Sequence, residues 1–163
     1  MFLGALRKDL NELGYVEGKN IELVNRFADE HYDRFDGLAS ELIEAKVDVI
    51  VGSLGMAALA AKRQTASIPI IFVASGDPVG SGLVDTLAHP GGNVRGTSAL
   101  TSDLAAKSLE LLKDCFSNLS TVGVLANSNT NTSSFRRSYV AAVQAAAETL
   151  HVSVPVVGGT VAG

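Results

Sequence analysis

The chain has 163 residues, 47% hydrophobic and 18% charged, with a formal net charge of -4. That length suits one ordinary domain or two small lobes, and the apolar share argues for a buried core and against disorder. Lys and Arg never run longer than two and no apolar stretch reaches the ~18 residues that cross a bilayer, which argues against a nucleic-acid partner and a membrane-spanning helix.

In chain order, Leu3, Leu6, Leu10 and Leu13 recur at helical spacing, and Gly14 follows as a C-cap. The opening "MFLGALRKDLNELG" lacks a basic lead before an apolar core, so it reads as this amphipathic helix and not as an export signal. In "NIELVNRF", Ile21, Leu23 and Phe27 fall on the apolar side of a half-buried strand. Phe35, Leu38, Ala39, Leu42 and Ile43 then make one buried helical stripe. "VDVIVG" is short and apolar on both faces, as a central parallel strand should be. "LGMAALAAKRQT" predicts an alanine-rich helix lying close to a sheet, and "IPIIFVA" the next buried strand.

After the glycine-rich corner "SGDPVGSGLV", "VRGTSAL" reads as a short strand and "DLAAKSLELLKDCF" as a helix. On that helix Cys115 keeps step with Leu104, Ser108, Leu111 and Leu112, so it is expected in the core as a small apolar residue. "TVGVLAN" is another buried strand. "SFRRSYVAAVQAAAETL" is a long helix with Phe135, Tyr139, Val143, Ala146 and Leu150 on one face. "VSVPVV" closes the pattern, its Pro155 suiting an edge strand or a bulge. Strands alternating with helices predict an α/β class, a parallel sheet flanked by helices.

In such sheets ligands bind beyond the carboxyl ends of the strands, where chain turns meet helix N-termini. Four corners qualify, "GSLG" from Gly52, "ASGDPVG" from Ala74, "GTSALT" from Gly96 and "ANSNTNTSS" from Ala126, and all are small, polar and rich in hydroxyls. Each also has a purely structural reading. Ser53 could cap the helix at Leu54, Asp77 before Pro78 could cap a helix with proline at its first position, and Thr97, Ser98 and Thr101 could form a capping series. The stretch from Asn127 to Ser134 could be a solvated loop. The binding reading rests on all four sharing one end of the strands. Hydroxyls and amides at Ser53 and Ser75 suit a carboxylate and Asp77 suits an ammonium, which together describe an amino acid or similar zwitterion.

Nucleotide-phosphate, dinucleotide and nucleophile-elbow motifs are all absent. His31, His89 and His151 lie far apart, and the lone cysteine excludes an intrachain disulfide, so neither a metal nor another cofactor is expected. No carboxylate pair stands out for acid-base work, and an enzyme is disfavoured. Two other classes stay open, a flavodoxin-like enzyme or regulatory domain, and a remnant that binds nothing and folds only as a homo-oligomer.

The succession "LNELGYVEGKNIEL", "RFDGLASELIEAKVDVIVGS", "IPIIFVASGDPVGSGLV" and "HPGGNVRGTSAL" resembles the ABC transporter substrate-binding protein family that includes the tryptophan-binding TrpX-like proteins. The resemblance runs from about Phe2 to Leu150, and "GDPVGSGLV" and "PGGNVRG" are its most specific parts. It implies a periplasmic-binding-protein-like architecture of two α/β lobes, here residues 1–98 and 99–163. A small solute, an amino acid and often an aromatic one, would be held between them without catalysis and passed to a membrane permease. The family's cleft would then take Ser53 with the helix N-terminus at Leu54 and Gly55, Ser75, Gly76 and Asp77, the Thr97, Ser98 to Leu100 crossing, and Asn127 from the second lobe.

The resemblance also implies an export signal or lipid anchor and a first strand that this sequence does not carry, and a longer second lobe. The chain therefore reads as truncated at both ends, with a periplasmic or cell-surface location implied for the family. Arg95 stands where the family more often has a small polar residue.

Overall fold

A computed structural model describes residues 2–99, 101–127 and 134–159. Helix α1 (Phe2–Glu12) stops where predicted, in a Schellman turn. Tyr15 N–H donates to Leu10 O at 2.8 Å and Gly14 N–H to Asn11 O at 3.0 Å. Gly14 takes φ +87°, which a residue with a Cβ would resist.

The strand expected at Ile21 to Phe27 does not form. Ile21 makes one isolated bridge to Glu17, the rest of the segment has no ladder, and Phe27 is 58% exposed. Strand character needs a neighbour to take the backbone groups, and this segment pairs with none of the described strands.

Helix α2 (Phe35–Glu44), strand β1 (Ile50–Gly52), helix α3 (Gly55–Gln64), strand β2 (Ile70–Ser75) and strand β3 (Val94–Ser98) follow. The strands form a parallel sheet in the order β1-β2-β3, with Ile50 opposite Ile70 and Ile70 opposite Val94. Alternation is clean on one side only. Ile50, Gly52, Ile70 and Phe72 face inward, while Val51 and Ile71 face out, 41% and 37% exposed. "VDVIVG" is thus not a central strand covered on both faces: Val51 leaves one face open, and nothing among the described residues pairs with its far edge.

The covered face carries the first core, with Ala39, Ile50, Ala58, Ala61, Ile70, Phe72, Leu83, Val84 and Val94 buried together. A large aliphatic side chain fully removed from water contributes roughly 1.5–3 kcal/mol. Alanines bring α3 close to the sheet, as its composition predicts: a Cβ on Gly52 would lie 2.7 Å from the Ala58 backbone nitrogen.

No helix links β2 to β3. Residues 76–93 cross as packed turns, and Pro78 and Leu83 are among the most completely buried side chains of the molecule. The glycine-rich corner is therefore a piece of core as well as a turn.

Helix α4 (Thr101–Cys115), strand β4 (Val124–Asn127), helix α5 (Ser134–Leu150) and strand β5 (Val156–Gly159) build a second unit, with β4 and β5 parallel and Val124 opposite Val156. Pro155 immediately precedes β5, where its missing N–H breaks no ladder. Ala105, Leu109, Val143, Ala147 and Val152 form the second core.

The apolar stripe expected to be buried on α4 is the wrong one. Leu104 and Leu111 are 58% and 53% exposed, and Cys115 is exposed with them. The helix carries two apolar stripes, and the one packed with α5 in the second core is that of Ala105 and Leu109. On α5, Val143 is buried and Tyr139, Ala146 and Leu150 are half-buried; the Phe135 side chain lies outside the described residues.

Candidate functional site

Parallel pairing puts the carboxyl ends of β1, β2 and β3 at one edge of the sheet, so the corners at Ser53, Ser75 and Thr97 lie along a common rim. At the first corner Ser53 is exposed and does not cap the helix. The N-cap is Leu54, in extended backbone, with no side-chain hydrogen bond to the helix. The first intrahelical bond runs from Ala58 N–H to Leu54 O at 3.1 Å, which leaves the Gly55, Met56 and Ala57 amides outside the helix ladder. Their partial positive charge favours an anion.

Ser75 ends β2 and is 5% exposed, the one buried polar residue among the described residues. Its carbonyl accepts from Ala99 N–H at 2.9 Å and from Ser98 Oγ–H at 3.1 Å. Its hydroxyl makes no hydrogen bond among the described residues, and it adjoins the start of α3: a Cβ on Gly55 would lie 3.1 Å from Ser75 Oγ. A buried hydroxyl without a partner costs roughly 1–3 kcal/mol, so a group that accepts from it is favoured there.

Gly76 and Asp77 are half-buried. Asp77 begins a single helical turn, not a helix. Its Oδ1 accepts from Gly80 N–H at 2.7 Å, and its carbonyl from Ser81 N–H at 3.1 Å. A Cβ on Gly80 would meet the Asp77 carboxylate, which would have to swing away from its bond to the Gly80 N–H. Lys62 Nζ donates to Gly82 O at 2.6 Å and to Leu83 O at 3.2 Å, tying the turn to α3. One carboxylate oxygen of Asp77 thus holds the turn, and the group keeps further lone pairs for a cation.

At the third corner Thr97 Oγ1 accepts from Ala74 N–H at 3.1 Å. Ala74 has φ +53°, and the β2–β3 register shifts between Phe72 and Ser75. Sequence reasoning missed Ala74, since alanine is no turn residue and carries no local signal for a left-handed backbone. Asn127 ends β4 in the other sheet, and its side chain lies outside the described residues, as does Leu100. Arg95 folds back on its own corner, its Nη1 donating to Gly91 O, Gly92 O and Val94 O.

A separate hollow of about 210 Å³, between α1 and residues 15–23, is lined by Arg7, Tyr15, Glu17 and Leu23 and by none of the corner residues. Arg7 and Glu17 pair with each other there at 2.9 Å, so the strand-end rim offers the better ligand chemistry. No group of metal-binding side chains occurs among the described residues, and no described helix is long and apolar enough to cross a membrane.

Residues 2–157 match a family model described as ABC transporter substrate binding protein. A tyrosine-binding protein of Clostridioides difficile is 38% identical over 122 residues, which is 75% of this chain and 35% of that protein. A conserved domain protein from Vibrio cholerae superposes with a TM-score of 0.85 at 29% identity, covering 96% of this chain and 51% of the other. An ABC domain from Streptococcus pneumonia, solved in complex with L-Trp, gives a TM-score of 0.75 at 28% identity over the same shares of the two chains. The chain thus spans about a third of the tyrosine-binding relative and half of the solved structures.

Proposed function

The chain belongs to the ABC transporter substrate-binding protein family, and we propose that it holds an aromatic amino acid at the strand-end rim of its first α/β unit and delivers it to an importer. The carrying observation is the buried Ser75 hydroxyl, without a partner among the described residues, beside the uncapped start of α3. Together they offer a carboxylate one hydroxyl donor and up to three amides. Asp77 takes the ammonium, while Ser53, Leu54, Gly55 and Gly76 form the floor and Ser98 the far wall, with Thr97 bracing the backbone of Ala74 at that corner. Residues 1–98 and 99–163 act as two lobes, with Asn127 reaching the solute across the cleft. The protein works outside the cytoplasmic membrane against a permease and performs no catalysis. The tyrosine-binding relative and the L-Trp-bound neighbour support the aromatic class.

Thermal unfolding in L-tyrosine, L-tryptophan and tyramine tests this reading. A ligand at a hundred times its Kd stabilises by about 2.7 kcal/mol, which for a chain of this size raises the midpoint by roughly 5–10 °C. Tyrosine or tryptophan should produce that rise. Tyramine, which keeps the ring and ammonium but has no carboxylate, should not. Ser75→Ala should weaken tyrosine binding by about 10- to 100-fold, as for a hydrogen bond to a charged group. Equal stabilisation by tyramine, or no response to either amino acid, would refute the proposal. Stabilisation by phosphate or a flavin would instead point to the flavodoxin-like class.

A further inference from the structure

Along β2, side chains should alternate faces, so Ser75, two pairs of positions on from Ile71, belongs on the open side of the sheet with it. Ile70 and Phe72 are buried and Ile71 is exposed, as alternation requires, yet Ser75 is buried on the side of α3. The phase changes between Phe72, opposite Gly96, and Ser75, opposite Ser98. Three steps on β2 are matched there by two on β3, so one extra residue is inserted and every later side chain changes face.

The inserted turn of backbone centres on Ala74, whose φ of +53° is one that alanine adopts at a cost. Its N–H is taken up by Thr97 Oγ1, and on its other side the Ser75 carbonyl is held by Ala99 N–H and Ser98 Oγ–H. Glycine would occupy this conformation unaided, whereas alanine depends on its surroundings.

We propose that Thr97 is a positioning residue: by accepting the Ala74 N–H it holds the left-handed bulge that turns Ser75 from the open face of the sheet to the start of α3. The consequence for affinity rests on the reading of that corner as the carboxylate site, but the backbone consequence does not. Thr97 acts through Ala74 and need not touch the solute.

The test combines NMR of the full chain with titration of L-tyrosine. The Ala74 HN–Hα coupling and its Cα and Cβ shifts report the left-handed backbone with no ligand present. Thr97→Val, close to isosteric at an exposed position, should remove that signature and weaken tyrosine binding by about tenfold, the effect of one misplaced hydrogen bond. Thr97→Ser, which keeps the acceptor, should preserve both. The double variant Ala74→Gly with Thr97→Val should recover most of the binding lost in Thr97→Val, because glycine needs no anchor.

An Ala74 signature unchanged by Thr97→Val would overturn the inference. So would a binding loss that Ala74→Gly fails to relieve, which would mean direct contact between Thr97 and the solute. If the wild-type chain binds neither tyrosine nor tryptophan, the functional reading falls, while the Ala74 signature still decides the positioning role.

Discussion

Replacing Gly96 by alanine adds a single methyl group at the tightest point of the first sheet. Gly96 pairs with Phe72 across β2 and β3, and a Cβ there would collide with the Phe72 carbonyl oxygen and lie 2.6 Å from its Cγ and 2.7 Å from its Cδ1. Carbon atoms prefer separations of ~3.5–4.0 Å, so something must retreat by about an ångström. Phe72 cannot yield cheaply, being 3% exposed and packed in the first core. Overpacking costs typically ~1–3 kcal/mol, and pulling the strands apart weakens ladder hydrogen bonds worth ~0.5–1.5 kcal/mol each.

With two such bonds weakened the sum is roughly 2–6 kcal/mol, a large part of a stability of ~5–15 kcal/mol. It should lower the melting midpoint by roughly 4–24 °C. The control is Gly37→Ala in α2, where a Cβ meets nothing within 4 Å. It should stabilise by ~0.5–1 kcal/mol through helix propensity. Urea and thermal unfolding followed by circular dichroism would measure both. A Gly96→Ala midpoint within a degree of wild type would mean that β2 and β3 do not approach in this register.

Cys115 is exposed and should react with a thiol reagent in the native protein at the rate of a small free thiol, with no denaturant; labelling that begins only on unfolding would return the residue to the core. Leu83→Ala removes a fully buried side chain from the loop between β2 and β3 and should cost about 2–5 kcal/mol in urea unfolding, far above a surface loop substitution. Asp77→Asn keeps an acceptor for Gly80 N–H, so its stability should stay within ~0.5 kcal/mol of wild type while tyrosine affinity falls; a large stability loss with affinity intact would make the carboxylate purely structural.

Helical periodicity was a dependable guide to the helices. The Schellman glycine at position 14, the α2 stripe and the alanines of α3 all lie where spacing and composition place them. The strand-end corners were also legible, because all break into small polar residues and three of the four follow directly on a mostly β-branched run. Their internal wiring was not. Whether Ser53 caps a helix, whether Asp77 starts a helix or one turn, and which side chain holds Ala74 all depend on the neighbouring strand or helix.

Two of the misread elements fail for the same reason. Ile21 to Phe27 has the composition of a strand, but strand pairing is a property of two segments and this one finds no described partner. Helix α4 has two apolar stripes, and its own sequence does not say which one α5 will cover.

Local chemistry, written in residue spacing, was thus enough to determine an α/β chain with its helices, most of its strands and a row of polar turns at the strand ends. Only the tertiary structure decided which strand face is left open, which helix face is buried and which way Ser75 points. Those outcomes depend on pairing and packing between segments distant in sequence, where one inserted residue can move a hydroxyl from the open face of a sheet into its core.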